Sequence, residues 1–270
     1  MLENGNLNQY LKNFIIENST EKLAAFNKKL SPDTKKLITG CRVPDLRKVA
    51  KRLIKLGNFS YNCDGLTNLK SFIRAIDWYS FEETIVVGIV VANLRSKSET
   101  EDSLKSQFLE FWLAHADGWA ITDTVDSSLK PVEDRDLPWL WTFVKKYTEK
   151  LKNGDFKYNQ FERRFCINIL FQYFLIDQYF KDSFEVVLKL WSPEYYVQMA
   201  TAWFFQVAAV NDLELTLTKM NRAIKDSIKD SRAGCEIDKF TYNKSLQKMI
   251  ESRKFSKLEK ERFRSLKFDK

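Results

Sequence analysis

The sequence predicts an all-α fold, an α-solenoid of antiparallel helix pairs, and three observations lead there. Glycine and proline are scarce, at 8 and 5 in 270 residues, so helix breakers are few. Aromatic and aliphatic residues recur at helical spacing almost throughout. No stretch alternates apolar and polar residues strongly between hairpin signals, so strands are expected to be absent or rare. About a dozen helices of roughly ten to sixteen residues fit the chain. Short connections make successive helices antiparallel neighbours. So long a chain of pairs reads as one solenoid domain, residues 1–270. Likeness between successive units is weak, so periodicity alone leaves a compact helical bundle as the alternative.

The punctuation can be followed in order. Asn18-Ser19-Thr20-Glu21 and Ser31-Pro32-Asp33 both carry the cap chemistry that opens a helix. Gly40-Cys41-Arg42-Val43-Pro44 closes one helix and opens another. Phe81-Glu82-Glu83 leads into TIVVGIVVANLR, which is apolar almost all round and therefore buried. Lys130-Pro131 closes a helix and Leu137-Pro138 opens the next. Asn153-Gly154-Asp155 marks a turn, and Ser192-Pro193-Glu194 opens YYVQMATAWFFQVAAV. Ala233-Gly234 breaks the chain before a last helical stretch, Phe240 to Arg253.

Composition narrows the function. Hydrophobic residues make up 44% and charged residues 30%, the balance of a folded rather than a disordered chain. No apolar run has the roughly 18 residues of a membrane span, and MLENGNLNQY lacks a secretory pattern, so a cytoplasmic protein without a membrane partner is expected. Cys41, Cys63, Cys166 and Cys235 have no metal-ligand spacing and read as reduced thiols, mostly filling core. The single histidine, His115, reads as a helix-end residue and argues against a His-rich metal site. The net charge is +8, and the last fifth carries all of it. From Lys219 to Lys270 there are 16 Lys and Arg against 8 Asp and Glu. These basic C-terminal helices, residues 219–270, belong to the same domain and fit either a polyanionic partner or a solvated surface.

Three polar features sit inside apolar helices. In Trp119-Ala-Ile-Thr-Asp123-Thr-Val-Asp126, a tryptophan and two carboxylates share one helical face. Arg163-Arg164 opens the helix FCINILFQYFL, and Trp203 lies in ATAWFF. Asp126, Arg164 and Trp203 are 38 and 39 residues apart. HEAT-type repeats run about 40 residues per helix pair, so equal spacing places the three on one concave face of such a stack. Each also has a plain structural role open to it: a capping carboxylate, an ion-paired arginine, a core indole.

With these residues in view, the chain resembles the AlkD-like DNA alkylation repair family. The stretch Thr122-Asp123-Thr124-Val125-Asp126-Ser127 is similar to its W-D-x-V-D-S segment. Arg163-Arg164-Phe165-Cys166-Ile167 and the run Tyr196 to Trp203 resemble its next two motifs, and Phe240 to Ser252 resembles the ending of a bacterial branch. The resemblance implies a HEAT-like α-solenoid with a concave basic groove for duplex DNA. It implies a monofunctional glycosylase that removes N3- or N7-alkylated purines. Asp126 then matches the catalytic aspartate, Arg164 the arginine at the lesion, and Trp203 one of two groove tryptophans. Trp119, Asp123 and Arg163, in or beside the same motifs, are expected to contact DNA as well. The implied partner is alkylated double-stranded DNA, bound by a monomer. No metal and no organic cofactor is implied.

Two positions depart from the pattern. The other groove tryptophan is Thr122 here, with Trp119 one turn earlier, and a basic residue three after Trp203 is Gln206. A HEAT-like protein that binds DNA through phosphates without excision is therefore the alternative, and a helical-repeat adaptor for proteins a second one.

Overall fold

A computed structural model describes residues 4–129, 134–152, 154–229 and 237–268. Among these residues there are fourteen α-helices, and β-pairing is confined to isolated bridges, so the all-α expectation holds. No helix among them is long and apolar enough to cross a membrane. The chain divides into two compact units, Met1–Leu140 and Trp141–Lys270.

The first unit contains α1 (Asn4–Glu17), α2 (Glu21–Leu30), α3 (Val43–Leu56), α4 (Cys63–Arg74), α5 (Phe81–Asn93), α6 (Glu99–Leu113) and α7 (Trp119–Asp126). Helix α8 (Leu137–Lys146) follows. Helix α3 packs on α5 and α5 on α7, while α6 lies against α5. A helix that packs on its next-but-one neighbour, with its partner alongside, is the local arrangement of a helical repeat. Every residue from Phe81 to Ala92 is buried, as a helix without a polar face requires. Burying a Val or Ile side chain stabilises by about 1.5–3 kcal/mol, so α5 is the main apolar core of this unit.

One expected helix is absent. Ser31-Pro32-Asp33 opens no helix, and residues 31–42 run as a loop. Distant carboxylates take the backbone donors that a helix would use. Glu82 accepts from the amides of Thr39 (3.1 Å), Gly40 (2.7 Å) and Cys41 (3.3 Å). Asp117 accepts from Thr34 Oγ1 (2.7 Å) and the Lys35 amide (2.9 Å). Gly40 sits at φ +97, beside the backbone of Thr20 and Ala24, where a side chain would not fit. The Gly40–Pro44 segment therefore opens α3, with Pro44 in its first turn, but closes no helix.

The second unit contains α9 (Gln160–Tyr173), α10 (Asp177–Leu190), α11 (Tyr195–Asn211), α12 (Leu213–Lys229), α13 (Lys239–Glu251) and α14 (Lys257–Ser265). Helix α11 is its centre, packed on α9 and α13, with α12 alongside; α10 packs on α9 and α14 on α13. The described part of the basic tail is thus docked helix rather than a loose arm. Asp238 caps α13 by accepting from the Thr241 amide at 2.8 Å, and Tyr242 donates to Asn221 at 2.6 Å.

Thr20 caps α2, Leu137 begins α8 and Glu194 precedes α11, as the punctuation predicts. Gly154 turns the chain at φ +90. Lys130-Pro131, Asn153, Ala233-Gly234 and Cys235 lie outside the described residues. Cys41 and Cys166 are buried, whereas Cys63 is exposed at the start of α4 and fills no core. His115 follows the end of α6, its Nδ1 2.8 Å from the Phe111 carbonyl and its ring stacked on Trp78.

Candidate functional site

In the first unit the polar residues of interest lie on α7, a helix of 8 residues. Trp119, Asp123 and Asp126 fall within about 60° of arc on an ideal helix, but burial separates them. Asp126, in the last turn, is only 2% exposed, while Trp119 and Asp123 are half-buried. Thr122 lies on the core side, fully buried, with its hydroxyl donating to the Trp119 carbonyl at 3.0 Å. Trp119 is committed to its own unit: Nε1 donates to the Leu30 carbonyl at 2.9 Å, at the end of α2. It lines a cavity of about 60 Å³ with Ser31, Leu46 and Ile85.

Arg47 of α3, which sequence reasoning missed, holds the end of α7. Its Nη2 donates to Ser127 Oγ at 2.8 Å and to the Thr124 carbonyl at 3.3 Å. A cation at a helix C-terminus is favoured by the helix dipole, by about 0.3–1 kcal/mol. The contact anchors the turn that bears Asp126.

In the second unit Arg163 and Arg164 are neighbours with different surroundings. An Asn159–Glu162 capping box starts α9 and sets their direction. Arg163 points inward and is 1% exposed. It donates to the carbonyls of Tyr158 (3.1 Å) and Leu190 (3.2 Å), pairs with Glu194, and lies 3.9 Å from the Phe156 ring centroid. A guanidinium so enclosed is a strut between α9 and the segment leading into α11. Burial lowers its pKa, against the pull of Glu194. Arg164 is buried as well, at 6% exposed, and donates from Nη1 to the Tyr196 carbonyl at 3.0 Å, at the start of α11.

Trp203 belongs to the outward stripe of an otherwise buried helix. It is 39% exposed, between the buried residues Ala202 and Phe204. Phe171, two turns beyond Arg164 on α9, places its ring centroid 5.1 Å from that of the indole. Lys248 of α13 places its ammonium 5.3 Å from the same ring's centroid. Burial, then Lys244, lower the pKa of Lys248; Glu251 opposes them, and Arg164 adds to the lowering. Arg164, Trp203 and Lys248 therefore form one cluster across α9, α11 and α13. Gln206, half-buried three residues after Trp203, adds no charge. Lys248 lies in the stretch Phe240 to Ser252 already noted in the sequence, but its place beside Trp203 was not legible there, because the two are 45 residues apart and break the near-40 spacing. The signal present was the lysine pair Lys244 and Lys248, one helical turn apart in a basic tail.

The cluster sets two cations, the buried Arg164 and the half-buried Lys248, around a partly exposed indole whose ring Lys248 overlies. Searches of curated proteins and of solved structures give no significant match. A family model described as DNA alkylation repair enzyme matches residues 7–225, which covers α7, α9 and α11 in full. The chain therefore belongs to the DNA alkylation repair enzyme family, with a role in DNA alkylation repair and an interaction with DNA.

Proposed function

We propose that the protein is a monofunctional glycosylase that excises positively charged N3- or N7-alkylated purines from duplex DNA, with Asp126 as the catalytic carboxylate. The observation that carries this reading is the family match over an α7 whose last turn holds a carboxylate 2% exposed. Alkylation at N3 or N7 leaves the purine cationic. It departs neutral, taking the electrons of the C1′–N9 bond, and needs no general acid. Positive charge remains on the deoxyribose. A carboxylate shielded from bulk water stabilises such a charge far better than an exposed one. Water then forms the new bond to C1′ and its proton passes to solvent, a course shared with glycoside hydrolysis.

The other residues hold the substrate. Arg164 takes a backbone phosphate, which fixes register without reading sequence. Trp203, in the same unit as Arg164, contacts the DNA beside that phosphate through its partly exposed indole. Asp123 and Trp119 contribute from the outer side of α7. Arg163, enclosed by protein, serves DNA binding by setting the position of Arg164.

The test is release of 7-methylguanine from methylated duplex DNA by wild type and Asp126→Asn, with duplex binding measured for both. Release by wild type that is lost in a variant still able to bind is the expected result. Equal release of neutral lesions would overturn the mechanism. A second reading, a phosphate-binding protein without excision, draws on the buried Thr122 and on the Trp119–Leu30 bond, which occupies the indole N–H of α7. It predicts binding with no release from either protein.

A further inference from the structure

We propose that Lys248 and Lys244, with Arg164, form a phosphate site beside Trp203, so that α13 belongs to the surface that grips the duplex backbone. The proposal rests on the reading that duplex DNA is the ligand, and adds an element beyond the matched residues 7–225.

Placement is the first argument. Lys244 and Lys248 are one turn apart on α13 and half-buried, while Thr241, Tyr242, Ser245, Leu246 and Met249 face the core. This stripe of α13 carries Lys244 and Lys248 together with the exposed Phe240 and Glu251, and it stands next to the outer stripe of α11 that carries Trp203. Rigidity is the second. Gln198 of α11 donates to Asp238 at 2.7 Å, and Trp191 donates to Thr241 Oγ1 at 3.1 Å. Asn243 accepts from the Phe268 amide at 3.0 Å and donates to its carbonyl at 2.9 Å. A helix held in this way presents its lysines in fixed positions, which lowers the entropy cost of binding.

Charge is the third argument. Among the described residues, neither Lys244 nor Lys248 makes a salt bridge. Among them, too, Lys248 feels two cations, Lys244 and Arg164, against the carboxylate of Glu251. Lysines one helical turn apart repel each other, and an anion bound between them relieves that repulsion. In the free protein the Lys248 ammonium rests over the indole, which is a weak substitute for a phosphate. A bound phosphate draws it off the ring and opens that face to the DNA.

The experiment measures binding of a labelled, unmodified duplex across a salt series, for wild type, Lys248→Met, Lys248→Arg, Lys244→Met and Arg164→Ala. Methionine keeps an aliphatic stem over Trp203 and removes the charge. Lys248→Met is expected to bind roughly tenfold more weakly at low salt, with the log–log salt slope smaller by about 0.9, and Lys248→Arg to restore both. Lys244→Met, altered away from the indole, should reduce the slope in the same way. If both methionine variants keep wild-type affinity and slope while Arg164→Ala is weakened, α13 is not part of the interface and the glycosylase reading survives. If wild type does not bind the duplex, both fall together.

Discussion

Arg164 donates to the Tyr196 carbonyl at 3.0 Å, tying a cation of α9 to the first turn of the helix that carries Trp203. A guanidinium presents its N–H donors as a rigid planar fork, whereas an ammonium is a single flexible point. Arg164→Lys should therefore lose nearly as much duplex affinity as Arg164→Ala, about 1–2 kcal/mol, or roughly tenfold. Full affinity in Arg164→Lys would show that charge alone matters at this position.

Arg163 and Glu194 predict an asymmetry in stability. Arg163 is 2% exposed at its side chain and Glu194 is 44% exposed. Removing the acid strands a buried cation, while removing the cation leaves an acid that water can reach. Glu194→Gln should cost about 1–3 kcal/mol in denaturant unfolding despite its small change of shape. A cost below about 0.5 kcal/mol, typical of an ordinary surface position, would show that the pair contributes little.

Two glycines separate crowding from backbone strain. A Cβ at Gly88 would lie 2.5 Å from the Trp112 ring and 2.6 Å from Val125, so α6 and α7 approach α5 through that gap. Gly88→Ala should cost about 1–3 kcal/mol by overpacking and also disturb α7. Gly154 has open space around it but stands at φ +90, so Gly154→Ala should cost only about 1 kcal/mol, from conformation alone. Thermal unfolding of both variants checks the order.

Lys105 predicts a pH signature. Its ammonium is buried against the carbonyls of Ala92 (3.1 Å) and Leu94 (2.8 Å), beside a cavity of about 180 Å³ also lined by Arg95, Ser128 and Arg135. Burial, opposed by Asp136 and Asp102, pulls its pKa down to about 8 from the ordinary 10.5. Between those two values the unfolded chain still holds a proton that the folded chain has released. The unfolded state then binds more protons, so this group's contribution to stability rises with pH across that window. The rise is on the order of 3 kcal/mol at most. The stability difference between wild type and Lys105→Met should drift in favour of wild type as pH climbs from about 8 to 10.5. A pH-independent difference would show that Lys105 titrates normally.

Much of the fold was legible in the sequence because helix signals are local. Thr20 starts α2 with its own side chain, which accepts from the Leu23 amide. The apolar run after Glu83 is buried because it has no polar face to show water. The failure at Ser31-Pro32-Asp33 has the opposite origin. Cap chemistry there lost to carboxylates at Glu82 and Asp117, far along the chain, and local pattern carries no information about them.

For the site, the order of residues settles which chemical groups are present and at what intervals: an aspartate, an arginine and an indole inside apolar helices, and a basic tail. Those intervals follow from the helical period and need no knowledge of packing. Tertiary structure decided where each side chain went. It turned Arg163 inward onto Glu194, bound Trp119 to the Leu30 carbonyl, and set Lys248 over Trp203. Those outcomes depend on which helices touch. Contacts between residues tens of positions apart are made only when buried faces find each other, and no single helix's periodicity records its neighbour.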